Sequence, residues 1–304
     1  MHSNESKACD EPLSMSRPPC LVSDQLVNIF IQEWMPLLPI IDPAKFLDTY
    51  ADFNANEECT LEPNTIVQIN LAFSIAATSA DYIRQDTESF EQAWQDRLYV
   101  SYDDCSIEVL QSFLLAQLYF MVKPDHERLL RCWEKVIEIL RNRRLLKSST
   151  HRAEEYSLES IQFKTRRAAY VLDCFSAALT GRNRKLRTEE LDWTLSAGSN
   201  AEFIPPRKTV TTLTPDINSS AAQVLFYVAK ILAKVLDGLY TVDSQSDRTM
   251  STVKSLEMEL DTWYDGLPSY FRLPFLHDKP SASTVSSRSP LLVCSTVSIH
   301  SLYH

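Results

Sequence analysis

The chain has 304 residues, 44% of them hydrophobic, only 4 glycines, and a formal net charge of −10. That length can bury a large core in one domain or two intimate subdomains. A glycine content far below the usual roughly 7% disfavours strand-rich folds and phosphate-cradling loops, and the acidic balance opposes a nucleic-acid surface, which needs a clustered basic face.

Residues 1–20 are polar, carry Pro12, Pro18 and Pro19, and read as a disordered leader without a secretory h-region. Order is expected from residue 21 to the end. Ser23 or Asp24 can cap a helix through Leu26, Phe30 and Trp34, which Pro36 and Pro39 break. Asp42-Pro43 then starts a second helix, an acidic N-cap followed by proline at the first helical position. Apolar residues recur at helical spacing over 63–84, 87–100, 106–122, 125–146 and about 157–180. In the last of these, Tyr170, Leu172, Phe175, Ala178 and Leu179 form the expected apolar face. Residues 196–219, with Pro205, Pro206 and Pro215, read as a surface loop. Residues 221–240 give the clearest amphipathic helix, and 248–264 another, ended by Pro268. A polar Ser/Pro loop is expected over 272–290 and a further apolar helix over 291–304. That last helix stops with its apolar face formed, so the chain is expected to be truncated at its C-terminus. The fold class expected is all-α, a multi-helix bundle with long Pro/Ser/Thr-rich loops.

Chemistry-bearing patterns are absent. The seven cysteines form no CxxC pair, so zinc-ribbon and thioredoxin arrangements fail on spacing. Cys132 and Cys174 read as small core hydrophobes in a reducing compartment. No HExxH and no GxSxG occurs. No apolar run approaches the ~20 residues that span a bilayer, so the protein is expected to be soluble and intracellular. Two basic clusters, Arg141–Lys147 and Arg182–Arg187, could touch phosphate but read as solvated helix ends and loops. No catalytic, metal-binding or DNA-binding residue is assigned, and the chain does not read as an enzyme.

The most informative stretch is Lys164–Leu195. Arg166 and Arg167 open a helix, Asp173 lies inside it, Gly181-Arg182 ends it, and Leu191-Asp192 follows a basic loop. This stretch resembles a landmark of the fungal-specific transcription factor domain, also called the xylanolytic activator regulatory domain or middle homology region of fungal zinc-cluster regulators. Three others stand in the family's order. Leu26–Tyr50 resembles its opening helix and proline corner, here Trp34, Pro36–Ile41 and Phe46. Ser106–Tyr119 is similar to its "LQalLL" helix. Leu256–Arg272 resembles the segment that carries Leu260, Trp263, Leu267 and Pro268.

The resemblance covers about residues 21–304 and implies a nuclear role in control of transcription. The helical domain would modulate activity and sense a small-molecule effector. Its partners would be other transcription-regulatory proteins, including a second copy of this chain, with no membrane. Arg166, Arg167, Asp173, Gly181, Arg182, Trp263 and Pro268 would serve as scaffold. The arginines would pair with acids, Asp173 with a basic neighbour, and Gly181 would cap its helix. Departures are Ala168-Ala169 where the family has aromatics, Asn183 where it has proline, and Arg144–Leu146 in place of a "GLH". The family's six-cysteine zinc cluster has no counterpart in these residues, so neither zinc as a cofactor nor direct DNA binding carries over to this chain. The alternative is a stand-alone helical interaction module or competitor derived from such a factor.

Overall fold

The structure, a computed structural model, describes residues 18–55, 61–79, 87–100, 104–143, 161–188, 217–239, 249–266, 275–276 and 279–280. Three helices begin where a side chain offers an oxygen to the first unsatisfied amides. The first helix does not: it starts at Cys20 after Pro19 without a side-chain cap, so Ser23 and Asp24, expected to cap it, lie inside it, and Ser23 Oγ–H donates to Cys20 C=O at 2.9 Å. Asp42 Oδ1 accepts from the backbone N–H groups of Ala44 and Lys45, both at 3.0 Å, ahead of α2 (Pro43–Ala55). Ser106 Oγ accepts from Val109 N–H ahead of α5 (Ile107–Val122). Asp125 does the same for Arg128 N–H ahead of α6 (His126–Asn142).

The first helical run passes through Leu26, Phe30 and Trp34 and ends before Pro36, as expected, but its pitch changes: α1 (Cys20–Ile29) widens into a π-helical turn over Phe30–Trp34, in which Met35 N–H donates to Phe30 C=O at 3.0 Å. The extra residue per turn leaves Phe30 and Met35, five apart, both buried, and lets the Trp34 indole reach Ser79 Oγ at 2.9 Å.

At the centre lie α3 (Pro63–Ser79) and α5. Every residue from Ile66 to Ala76 in α3 and from Val109 to Phe120 in α5 is buried. A helix apolar on every side belongs inside a bundle, and each is packed accordingly. Helix α3 meets α1, α2, α4 (Thr87–Val100) and α5, while α5 meets α3, α6 and α7 (Ile161–Thr180). Helix α8 (Ile217–Leu239) packs on α7, and α9 (Thr249–Gly266) on α8. The described residues thus form nine α-helices, and the fold is all-α as expected. The polar loop expected over 272–290 contains one small exception, an antiparallel pairing of Phe275–Leu276 with Lys279–Pro280. The helix expected over 291–304 lies outside the described residues, as do 1–17.

Ring contacts fill the space around α3. Phe73 touches Tyr50, Phe53 and Phe90 edge-on or tilted, with centroids 5.5–6.3 Å apart. At the outer end of α4, Glu91 accepts from Tyr119 at 2.9 Å and from Arg128 at 3.1 Å, and also binds Lys123. Burial pushes the Glu91 carboxyl up, but the Lys123 and Tyr119 donors outweigh it and hold the group below the usual carboxylate range. Among the described residues no helix is long and apolar enough to cross a membrane.

Gly181 closes α7 with φ at 65°, and the next amide, Arg182 N–H, reaches back to Ala177 C=O at 3.1 Å. A Cβ built on Gly181 meets nothing within 4 Å. Replacement therefore strains the backbone alone, and Gly181→Ala should lower the unfolding free energy by about 1–2 kcal/mol in urea titration. Gly181→Asn should recover most of that loss, because asparagine tolerates the left-handed region. An alanine variant as stable as the parent would contradict the cap.

Candidate functional site

Asp173 sits mid-way along α7 at 0% exposure. Its Oδ1 accepts the indole N–H of Trp133 in α6 at 2.8 Å and the backbone N–H of Lys185 at 2.9 Å. Its Oδ2 accepts the backbone N–H of Leu186 at 3.2 Å. The expected basic partner is thus replaced by neutral N–H donors, which fold the loop after α7 back onto the helix. Burial pushes the Asp173 carboxyl up to about 6, while these donors and the nearby Arg184 charge pull the other way without overcoming it.

The basic loop is not the solvated segment its composition suggests. The Arg184 guanidinium, with a side chain 5% exposed, binds Asp237 of α8, donates to Leu186 C=O at 3.0 Å and lies 5.6 Å from the Tyr170 ring centroid. Lys185 Nζ is 3.2 Å from Glu134 and 4.8 Å from the Trp133 ring centroid. Loop 181–188 therefore joins α6, α7 and α8. Arg182 itself is exposed. On the apolar face expected for α7, Leu179 is instead 49% exposed.

Arg166 is buried in α7. Arg167, next to it, lies with its guanidinium 4.2 Å from the Phe226 ring centroid in α8 and 5.7 Å from that of Phe163. Among the described residues no carboxylate lies within ion-pair distance of Arg167, so ring faces stand where acids were expected. Burial pushes the Arg167 guanidinium down to about 10. Trp263 is buried in α9, and its indole N–H has no hydrogen-bond partner among the described residues. Pro268 lies outside the described residues.

Arg167 lines a cleft of about 610 Å³. One wall is the proline corner after the π turn, with Met35, Leu37, Leu38 and Ile41. The opposite wall is the first half of α7, with Lys164, Ala168 and Val171 beside Arg167. Helix α8 closes the end with Ala222 and Phe226. The corner is anchored through one carbonyl: Ile40 C=O accepts Gln111 Nε2–H from α5 at 2.8 Å. Thr165 Oγ of α7 lies 3.3 Å from the same oxygen, while its single proton has a shorter acceptor in Ile161 C=O of its own helix at 2.7 Å. Sequence reasoning placed none of these walls together, because they are joined across 71 and 125 residues of chain.

The residues present do not fit the family's zinc cluster. Cys20, Cys105, Cys132 and Cys174 sit on four separate stretches, and burial pushes the Cys132 thiol up to about 12. No group of three or more His, Cys, Asp or Glu able to hold a metal occurs among the described residues.

A family model for the fungal specific transcription factor domain matches residues 27–265. Over 287 residues the chain is 33% identical to the transcriptional activator protein acu-15 of Neurospora crassa; the match covers 92% of this chain and 31% of that protein. No solved structure matches.

Replacing Asp173 by Ala leaves the Trp133 indole and two backbone amides facing an apolar gap, at about 1–3 kcal/mol for each buried donor. Asp173→Ala should therefore cost at least about 3 kcal/mol in denaturant unfolding, and unchanged stability would refute the tether. The carboxyl keeps its proton to about pH 6 in the folded chain but releases it near 3.8 when unfolded. Its protonation therefore favours the fold below pH 4, and that contribution is lost as pH rises from 4 to 6. Measured against Asp173→Asn, whose site does not titrate, the parent should lose about 3 kcal/mol over that window and nothing further above it.

Proposed function

This chain belongs to the family of fungal specific transcription factor domains, and we propose that it acts in the nucleus by tuning a DNA-bound factor through protein contacts, without reading DNA, holding zinc or catalysing a reaction itself. It is a regulatory domain of the fungal transcription factor type. Its whole-protein role extends the printed description of acu-15, of which it spans 31%, to a chain 33% identical to it over 287 residues. The observation that carries this reading is where the cations go. Arg184, Lys185 and Arg167 are turned onto Asp237, Glu134, Trp133 and Phe226 of neighbouring helices, while Arg141, Arg143, Arg182 and Arg187 stay exposed. An acidic chain that commits these three cations to its own helices supports the reading that DNA contact is left to another module. What it presents instead is a surface for other regulatory proteins, including a second copy, and a cleft for an effector.

The test is a reporter assay. The full chain is placed between a heterologous DNA-binding module and an acidic activation tail. Output should change several-fold relative to the same module and tail joined by a flexible linker, and Asp173→Ala should abolish the change. Identical output from the two fusions would sink the regulatory reading. Gel-shift titration of the untethered chain should show no sequence-specific complex.

A further inference from the structure

We propose that the cleft between the proline corner, α7 and α8 binds an organic carboxylate with an apolar body, its charge held by Arg167 and Lys164. This deepens the effector part of the regulatory reading by naming the site and the ligand chemistry, and it rests on that reading only for its biological meaning.

Size and lining set the class first. A cleft of about 610 Å³ lies within the roughly 300–1,000 Å³ range of small-molecule sites. Its walls are aliphatic or aromatic over most of their area: Met35, Leu37, Leu38 and Ile41 face Val171 and Phe226. Such walls favour an apolar ligand body, with polar side chains confined to Gln32, Asp42, Lys164, Arg167 and Gln223.

Charge then sets the polar end. Lys164 and Arg167 project from successive turns of α7 into the lining. Arg167 is held by ring faces and has no carboxylate in ion-pair reach among the described residues. A largely desolvated cation without an anion is costly, and burial has already pushed its guanidinium down to about 10. Lys230 of α8 is depressed mainly by burial, with the charges of Lys234 and Arg167 adding to this and that of Glu259 opposing it. The one acid in the described lining, Asp42, already accepts the first amides of α2. A ligand carboxylate would supply an anion that none of the described residues brings to Arg167, and the planar guanidinium is suited to take it bidentately.

Position gives such binding a consequence. Among the described elements α8 is held mainly by α7 and α9. A ligand spanning the cleft would add a bridge from α8 to the corner, which Ile40 C=O ties to Gln111 of α5. Occupancy would stiffen α8 and α9 against the central helices.

Isothermal titration of the full chain with sodium octanoate, octan-1-ol, octyltrimethylammonium and inorganic phosphate tests the proposal. Octanoate should bind with one-to-one stoichiometry, at least about tenfold tighter than octanol, the usual scale of a charge-assisted bond. Arg167→Met and Lys164→Met should each weaken octanoate about tenfold and leave octanol unchanged, while Arg167→Lys should stay within a few-fold of the parent. Should Arg167→Met not fold, Lys164→Met and the octanoate-to-octanol ratio in the parent decide the matter. The proposal is overturned by equal affinity for octanoate and octanol, by tighter binding of the ammonium or of phosphate, by octanoate binding indifferent to the substitutions, or by no octanoate binding at millimolar concentration. Calorimetry does not depend on transcription. A bound carboxylate with an inert reporter fusion would refute the regulatory reading alone, and an active fusion without carboxylate binding would refute only the site.

Discussion

A helix buried on every side must satisfy its polar side chains on its neighbours, and α5 is such a helix. Gln111, Ser112 and Gln117 lie inside its buried run. An unmet buried donor costs about 1–3 kcal/mol, so each amide group restricts where another segment can sit. Gln117 Nε2–H donates to Ser176 Oγ at 2.8 Å and towards Leu172 C=O, fixing the register of α7. Gln111 holds the proline corner by Ile40 C=O. From the other side, Gln68 of α3 donates to Glu108 C=O of α5 at 3.1 Å. Once α7 is set in this register, Asp173 faces Trp133, the loop after α7 folds onto it, and Arg184 reaches α8. The outer helices thus inherit their places from a few amides in the middle.

Three of the four sequence landmarks turn out to be junctions rather than surfaces. The proline corner carries Ile40, the α5 landmark carries Gln111 and Gln117, and the α7 landmark carries Asp173 and Gly181. In this chain the recognisable residues serve helix register and loop anchoring, which is why they can mark a family and yet form no catalytic pattern.

Local features were legible before the fold was. Asp42-Pro43 and Ser106 start helices where the sequence puts them, because a cap acts on amides within three residues. The buried small thiols Cys132 and Cys174 were legible as well. The partners of Asp173 were not, since two of its donors are backbone amides and a main-chain N–H leaves no mark on residue identity. Nor was the ring partner of Arg167, which arrives from α8 after a long intervening stretch. The π turn at Phe30–Trp34 escaped for a further reason: periodicity rules assume one pitch, and a single wide turn shifts every later face. The same dependence on distant segments hid the cleft, whose walls come from three parts of the chain.

The Ile40 carbonyl has an evolutionary consequence. It accepts Gln111 Nε2–H, yet it belongs to the main chain and survives any substitution of the Ile40 side chain short of a backbone shift. Drift at position 40 among apolar residues is therefore nearly silent for this joint. The burden falls on position 111 instead, because only a side chain of that length carrying a donor can reach an acceptor that mutation cannot remove.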